Sequence, residues 1–379
     1  MSSIQRQTAV GIGYKSIASA ITIIVGFTRS VILANILAPS DFGAITFALF
    51  FTNLIGSLTQ FSFRHAFIHS DAADAEESMS GTLLTIDGLL AVGRIFIAPC
   101  PRLFAWLYPE YPLLPYLITI FFAAMVLGAL SGTPMAILER RLAHKKIALI
   151  NITVSITITL ISVGMAWWDW GIWSLIAEFI LMRLALFIML FAVLKQKMPR
   201  LGIDRALVRR FSKFSLSVSA TNLLAFLLDR FDDFWIGNTL GQDSLGFYSR
   251  AYEFARYPRR ILSEPIVNVT FPAFARLQDN PLELAQLFTR SMGLLIRSGF
   301  VVALVLFLVA PEFISLLIGE KWLPVVNTFR FMAIYTLFDP LYEVQNMFFV
   351  AIGRPTVSTR NRAIQVIIFI PAVILFSSW

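Results

Sequence analysis

One cysteine, Cys100, and three histidines in 379 residues leave the chain no internal disulfide and no thiol or imidazole ligands at metal-binding spacing. His65, His69 and His144 read as ordinary surface residues, and no metal or other cofactor is expected. Charge is scarce as well: Asp, Glu, Lys and Arg make up 14% of the chain, against roughly a quarter of a soluble domain. Catalytic signatures are missing. The sequence holds no Walker motif, no G-x-S-x-G, and no polar segment long enough to hold a nucleotide sugar. The Asp232-Asp233 pair has no second acidic cluster of matching form, which argues against a metal–diphosphate prenyltransferase.

What is present is apolar surface. Hydrophobic residues make up 57% of the chain and the mean hydropathy is +0.74. The apolar runs are continuous rather than alternating in ten-residue blocks, so the expected class is an all-α membrane protein and not a barrel. About eleven transmembrane helices are expected, over 12–37, 42–63, 80–98, 115–138, 146–168, 171–194, 214–240, 244–275, 287–310, 325–352 and 363–379. No cleaved leader is expected ahead of the first. With the N-terminus placed inside, segments on that side carry 19 lysines and arginines, while the opposite loops carry only Arg102 and Lys321. Basic residues concentrate in cytoplasmic loops, so the formal charge of +8 is a signal of topology and nucleic acid is not an expected partner.

Two stretches repeat one pattern of helix, short polar turn and helix: FTRSVILANILAPSDFGAITFA from Phe27 and RFDDFWIGNTLGQDSLGFYSRA from Arg230. At an offset of 203, Asn35 meets Asn238, Leu37 meets Leu240, Gly43 meets Gly246 and Ala48 meets Ala251. Six expected spans lie between equivalent points, so the two copies share one orientation. That is a parallel repeat about an axis along the membrane normal. The expected organisation is an N-terminal six-helix lobe, 1–194, a basic cytoplasmic connection, 195–213, and a C-terminal lobe, 214–379. The same offset puts the counterpart of the sixth span at about 374–397, so the second lobe is expected to lack its twelfth helix.

Within the seventh expected span, LDRFDDFWIGN holds Asp229, Arg230, Asp232 and Asp233. A single charge at the centre of a lipid-facing helix costs roughly 2.5–3.5 kcal/mol on insertion scales, so these side chains must face something other than lipid. At about 100° per residue, Ser215, Ser219, Asn222, Asp229 and Asp233 form one polar stripe with Arg230 and Asp232 on its flanks. The next helix continues it with Arg250, Glu253, Tyr257, Arg260, Glu264 and Asn268 at 3,4 spacing, and with Arg256 and Arg259 on the adjoining face. The first lobe is sparser: Arg29, Asp87 and Arg94 seven apart on one face, Glu178 and Arg183. A structural reading stays open, in which Arg230 pairs with Asp233 along one helix, Arg29 pairs with a carboxylate across the lobes, and residues near helix ends snorkel. The set as a whole implies a hydrated chamber, lined also by Asn222, Glu253, Tyr257, Asp87 and Arg94. Its arginines suit an anionic, phosphate-bearing substrate, and Asp229, Asp232 and Asp233 are candidates for coupling to an ion gradient.

RAYEFARYPRRILSEPIVNVTFPAFARLQDNPLELAQLF (Arg250 to Phe288), LLIGEKWLPVV (Leu316 to Val326), AIGRP (Ala351 to Pro355), LANILAPSDFGAITFA and PMAILERRLAHKKIALIN (Pro134 to Asn151) together carry a resemblance. The chain resembles the polysaccharide transporter family, the Wzx-type exporters of O-antigen and exopolysaccharide repeat units within the MOP flippase superfamily. That resemblance implies a two-lobe, V-shaped helical fold in the bacterial inner membrane and transport by alternating access, with no enzymatic step. The implied partner is a polyprenyl-diphosphate-linked oligosaccharide, taken from the cytoplasmic leaflet and released at the periplasmic one, with polysaccharide polymerase and export machinery as further partners. On this reading Arg29, Arg230, Arg250, Arg256 and Arg260, placed by the stripe, would meet the diphosphate. The alternatives are a multidrug or metabolite antiporter of the same superfamily, with a more apolar chamber, and a polymerase or glycosyltransferase of the same pathway, with a sizeable outside loop.

Overall fold

The computed structural model describes residues 3–59, 67, 76–97 and 101–376, and among them no strand occurs. The helices are α1 (Ser3–Ile36), α2 (Pro39–Thr59), α3 (Glu76–Ile97), α4 (Pro101–Leu107), α5 (Leu114–Arg140), α6 (His144–Trp167) and α7 (Trp173–Ile188), which runs on as a π-helical turn, Met189–Val193. Then come α8 (Arg205–Arg276), α9 (Pro281–Leu308), α10 (Ala310–Leu317), a 3₁₀ turn at Glu320–Val325, α11 (Val326–Ala351) and α12 (Pro355–Phe376). Seven segments among the described residues are long and apolar enough to cross a membrane: Ser16–Ile36, Pro39–Leu58, Leu114–Arg140, His144–Trp167, Trp173–Val193, Pro281–Leu308 and Thr356–Phe376. The other expected spans fall on α3, whose apolar stretch Ser78–Gly93 is shorter, and on the more charged α8 and α11.

Helix α8 comprises 72 residues, which a straight α-helix would stretch over about 108 Å, several times a hydrocarbon core of roughly 30 Å. Gly241 breaks it, with φ 83° and ψ 177°, a conformation open to glycine and strained for side-chain-bearing residues. The expected spans 214–240 and 244–275 fall one on each of its two pieces.

The chain divides into two units, Met1–Arg29 with Ala44–Phe226, and Ser30–Gly43 with Leu227–Trp379. In the first, Leu138, Ile150, Val154, Ile158 and Leu190 join α5, α6 and the end of α7 in one apolar cluster. Phe67, Met79, Leu83, Ala136 and Ile137 form a second cluster, against which Leu207 and Val208 pack. The connection after α7 is pinned to α3. Gly202 N donates to Thr85 Oγ1 at 3.0 Å, Asp204 N donates to Thr82 Oγ1 at 3.1 Å, and Ser78 Oγ donates to Asp204 Oδ2 at 3.5 Å. Gly81 allows this close passage, since a Cβ there would lie 2.3 Å from the Arg200 carbonyl oxygen. Asp204 Oδ1 also accepts from Leu207 N at 3.2 Å, the N-cap that starts α8.

In the second unit, α8, α9 and α11 pack through Phe274, Leu284, Leu295, Val344 and Ala351. Its other focus is the end of α1. Trp322, fully buried between Phe42 and Phe247, donates its indole N–H to Ala34 O at 2.9 Å. Lys321 Nζ donates to Asn35 O at 2.7 Å and to Leu37 O at 2.8 Å, and Asn35 Nδ2 donates to Leu317 O at 2.7 Å. Lys321 and Trp322 thus satisfy carbonyls that the C-terminus of α1 leaves without intrahelical partners, with a cation at the negative end of the dipole, and Asn35 in return satisfies the last carbonyl of α10. Burial pushes the Lys321 pKa below the ordinary lysine value, against the attraction of Asp41.

Beside this clamp the two copies of the repeat cross. A Cβ on Gly43 would lie 1.8 Å from Gln242 O, and one on Gly246 would lie 1.9 Å from Pro39 O. At the offset of 203, Gln242 and Gly246 are the counterparts of Pro39 and Gly43. The contact is therefore reciprocal, as segments related by a two-fold axis make it.

Candidate functional site

Most of the nominated charges lie on the two pieces of α8 within the second unit. On the first piece, Arg230 Nη1 donates to Asp233 Oδ2 at 2.9 Å, and the Asp233 side chain is 3% exposed against 40% for Arg230. Asp232 Oδ1 accepts from the Asp233 backbone N–H at 3.0 Å, while its other oxygen accepts from the Tyr248 hydroxyl, on the far side of the Gly241 break. The break turns the second piece back far enough for residues 16 apart in sequence to bond. Asp229, exposed on the same helix, has no hydrogen-bond or ion-pair partner among the described residues.

On the second piece Arg250 pairs with Glu253 and lies over the Phe42 ring, 4.3 Å from its centroid. Ser30, on the last turns of α1, donates to Glu253 Oε1 at 2.9 Å and accepts from Arg250 Nη1 at 3.4 Å. One turn on, Arg256 lies over Tyr252 at 5.1 Å and Arg260 over Tyr257 at 5.4 Å. Neither guanidinium has a carboxylate partner among the described residues, and Arg256 Nε is buried without a hydrogen bond. Arg256 and Arg260 are four apart, on one helical face, each backed by an aromatic ring. A forked donor held on a ring, with no ion pair among the described residues, is arranged to take an anion such as phosphate.

The remaining candidates belong to the first unit. Arg29 Nη2 bonds Glu178 Oε1 at 2.8 Å, with both side chains mostly buried, so its carboxylate comes from its own unit. Arg183 stacks on Phe179 at 3.5 Å and donates to Phe179 O at 3.0 Å. Asn222 is exposed on α8 and Asp87 is half-buried on α3. The side chains of Arg94 and Ser215, and those of Arg259, Glu264 and Asn268 in the second unit, lie outside the described residues. Among the described residues no group of three His, Cys, Asp or Glu side chains is placed to hold a metal ion.

Ser30 and the Lys321-Trp322 pair escaped the sequence reading, and Tyr248 was read there only as aromatic surface beside the charges. Ser30 and Tyr248 complete the charged cluster, and Lys321-Trp322 holds the end of α1. The signal for the last was the GEKW run, four residues with one apolar ring and one cation in a loop that needs neither for solubility.

The family model described as "Polysaccharide biosynthesis protein" matches residues 32–327, well over half of the chain. The chain belongs to this polysaccharide biosynthesis protein family. Within reach of the family, it is 24% identical to the lipopolysaccharide biosynthesis protein WzxC of Escherichia coli (strain K12) over 379 residues, which are 98% of this chain and 76% of WzxC. It is 25% identical to the succinoglycan biosynthesis transport protein ExoT of Rhizobium meliloti (strain 1021) over 272 residues, 71% of this chain and 54% of ExoT, so it spans about half of that relative's length. A solved structure of the lipid II flippase MurJ, in an inward closed conformation, superposes with a TM-score of 0.73, covering 93% of this chain and 79% of that one at 13% identity. At that identity the likeness shows the fold: this family member is a multi-pass membrane protein, helical among its described residues, with the fold of the MurJ structure.

Proposed function

We propose that the chain is a flippase that moves polyprenyl-diphosphate-linked oligosaccharide units across the bacterial inner membrane for polysaccharide biosynthesis. It does so by alternating access and makes or breaks no covalent bond. Family membership supports the pathway, and one observation supports the substrate's anionic head. Of the five arginines expected from the sequence, Arg29, Arg230 and Arg250 pair with Glu178, Asp233 and Glu253, while Arg256 and Arg260 lie on aromatic rings and form no ion pair among the described residues. We assign the diphosphate to Arg256 and Arg260, and the ion pairs to holding the helices that carry them. By the same reasoning Asp229, the one member of the acidic trio without a partner among the described residues, is the candidate for ion coupling.

The distribution of basic residues supports a cytoplasmic N-terminus with 195–213 as the connection between two lobes. A polymerase and export machinery then act on the released units. A multidrug antiporter is disfavoured by the arginine-rich site, and a pathway enzyme by the family.

The test is mass spectrometry of polyprenyl-linked saccharides in a strain deleted for this gene, with leaflet placement read by an impermeant sugar-oxidising reagent. Complete units trapped on the inner leaflet, cleared by the wild-type gene but not by Arg256→Ala/Arg260→Ala at equal membrane abundance, are expected. Incomplete units, or complete units on the outer leaflet, would replace the flippase with a transferase or a polymerase. Full clearance by the double variant would remove the arginine assignment.

A further inference from the structure

A polar cavity of about 800 Å³ lies within the first unit and is lined by Ser78, Gly81, Thr82, Arg200, Gly202, Ile203, Asp204 and Arg205. Its volume falls within the roughly 300–1,000 Å³ of small-molecule sites. Its walls are the polar start of α3 and the non-helical connection, just beyond the apolar segment Trp173–Val193 and at the edge of the stretch Ser78–Gly93. That is a position at the boundary between membrane and water.

A basic loop that served only to set topology would need no fixed shape. This one is fixed at three points, by Thr85, Thr82 and the glycine gap at Gly81. Arg200 and Arg205 both line the cavity, partly open to solvent, and neither has a hydrogen-bond or ion-pair partner among the described residues. Among the described lining residues two guanidinium groups face one carboxylate, Asp204, which Leu207 N and Ser78 Oγ hold in place, so the described lining carries a net positive charge. Two guanidinium forks with no ion pair among the described residues, in a polar niche beside apolar helices, match the oxygens of a phosphate ester better than a diffuse counter-ion cloud.

We infer that this cavity is a headgroup site for a lipid-borne phosphate or diphosphate, separate from the arginines of α8. The inference goes beyond the proposed transport activity and is tested without it.

The purified full-length chain, in lipid nanodiscs, would be photolabelled with a diazirine-bearing polyprenyl diphosphate or a diazirine-bearing phosphatidylglycerol, and the crosslinked peptides mapped. Inorganic pyrophosphate would serve as the soluble competitor. Crosslinks to the peptides of 76–97 and 195–209 are expected, reduced at least about tenfold in Arg200→Ala/Arg205→Ala, the loss of one or more charge-assisted hydrogen bonds. Lys195→Ala/Lys197→Ala removes the same charge from the same connection without touching the cavity lining, and should leave labelling unchanged. Arg200→Lys/Arg205→Lys, which keeps the charge but not the fork, should fall between.

Labelling by the polyprenyl probe supports the site and assigns it to substrate. Labelling by phosphatidylglycerol supports it and assigns it to a bilayer lipid, and displacement of either label by pyrophosphate shows that the phosphate group is what is held. Equal losses in the arginine and lysine variants, or no labelling of these peptides by either lipid, would overturn the inference. A failure of the flippase reading would leave the crosslink map unchanged.

Discussion

Gly43→Ala carries the strongest structural prediction. The added methyl would stand 1.8 Å from Gln242 O and 2.7 Å from its carbonyl carbon, where ordinary contact begins at 3.4 Å. The two segments must therefore separate by about 1.5 Å, and what they push against is backbone, with no side chain to swing aside. Overpacking of a close-packed contact costs about 1–3 kcal/mol, and rigid atoms on both sides place this case near the top of that range. For a unit of roughly 170 residues, about 3 kcal/mol lowers the melting temperature by roughly 6–12 °C. Gly246→Ala should match it, because its methyl would meet Pro39 O at 1.9 Å. The double variant should cost less than the sum, by about 0.5 kcal/mol or more, since a crossing already opened by one methyl has room for the other. The assay is thermal unfolding of the detergent-solubilised chain, with Gly56→Ala as control: its Cβ would meet only Met125 Cε, at an ordinary 3.6 Å. Melting temperatures for Gly43→Ala and Gly246→Ala equal to that of the control, or strict additivity in the double variant, would refute the reciprocal crossing.

Trp322→Phe keeps the ring but leaves the buried Ala34 carbonyl without its donor, and should cost about 1–3 kcal/mol in the same assay. Because the Lys321 pKa is lower in the folded chain than the ordinary value of 10.5, the unfolded chain binds the proton more tightly. Stability should therefore rise with pH between the folded-state value and 10.5, and Lys321→Met should flatten that slope. Arg29→Met or Glu178→Gln alone strands a mostly buried charge or polar group and should lower the yield of folded protein, whereas Arg29→Met/Glu178→Met should restore it. Export retained by the restored double variant would fix Arg29 as structural. Thr82→Val/Thr85→Val removes the acceptors of two backbone N–H groups, so trypsin should cleave the variant at Lys195, Lys197 or Arg200 while leaving the wild type intact there.

The helices were legible because long apolar runs leave few alternatives in a bilayer, and the repeat was legible because its glycines and turns recur at one offset. Helix ends moved by several residues where polar turns joined the helix, as at α9, which begins at Pro281 behind the Asn280 cap rather than at 287. The π-helical turn at Met189–Val193 gives no sequence signal distinct from the α-helix it extends. The charges were legible as a set, and the pair Arg230–Asp233 was visible because three-residue spacing is local. Which arginines remain available was not, since Arg29–Glu178 and Ser30–Glu253 join residues 149 and 223 apart, and only tertiary approach decides such partners. Periodicity placed Asp229 and Asp233 on one stripe, but it could not tell that one carboxylate would be held by Arg230 and the other left alone.

The clamp on the end of α1 sets a timetable for biogenesis. Ala34 waits for Trp322, 288 residues later in the chain, and Ser30 waits for Glu253. At about 5–20 residues per second, the ribosome needs roughly 15–60 s to supply the indole that closes the first helix. Throughout that interval the carbonyls at the end of α1 lack the donors that Lys321 and Trp322 supply in the folded chain. The inserting cell must shield those carbonyls with water, lipid headgroups or an insertion factor, and a nascent chain stalled before residue 317 should remain bound to whatever does so.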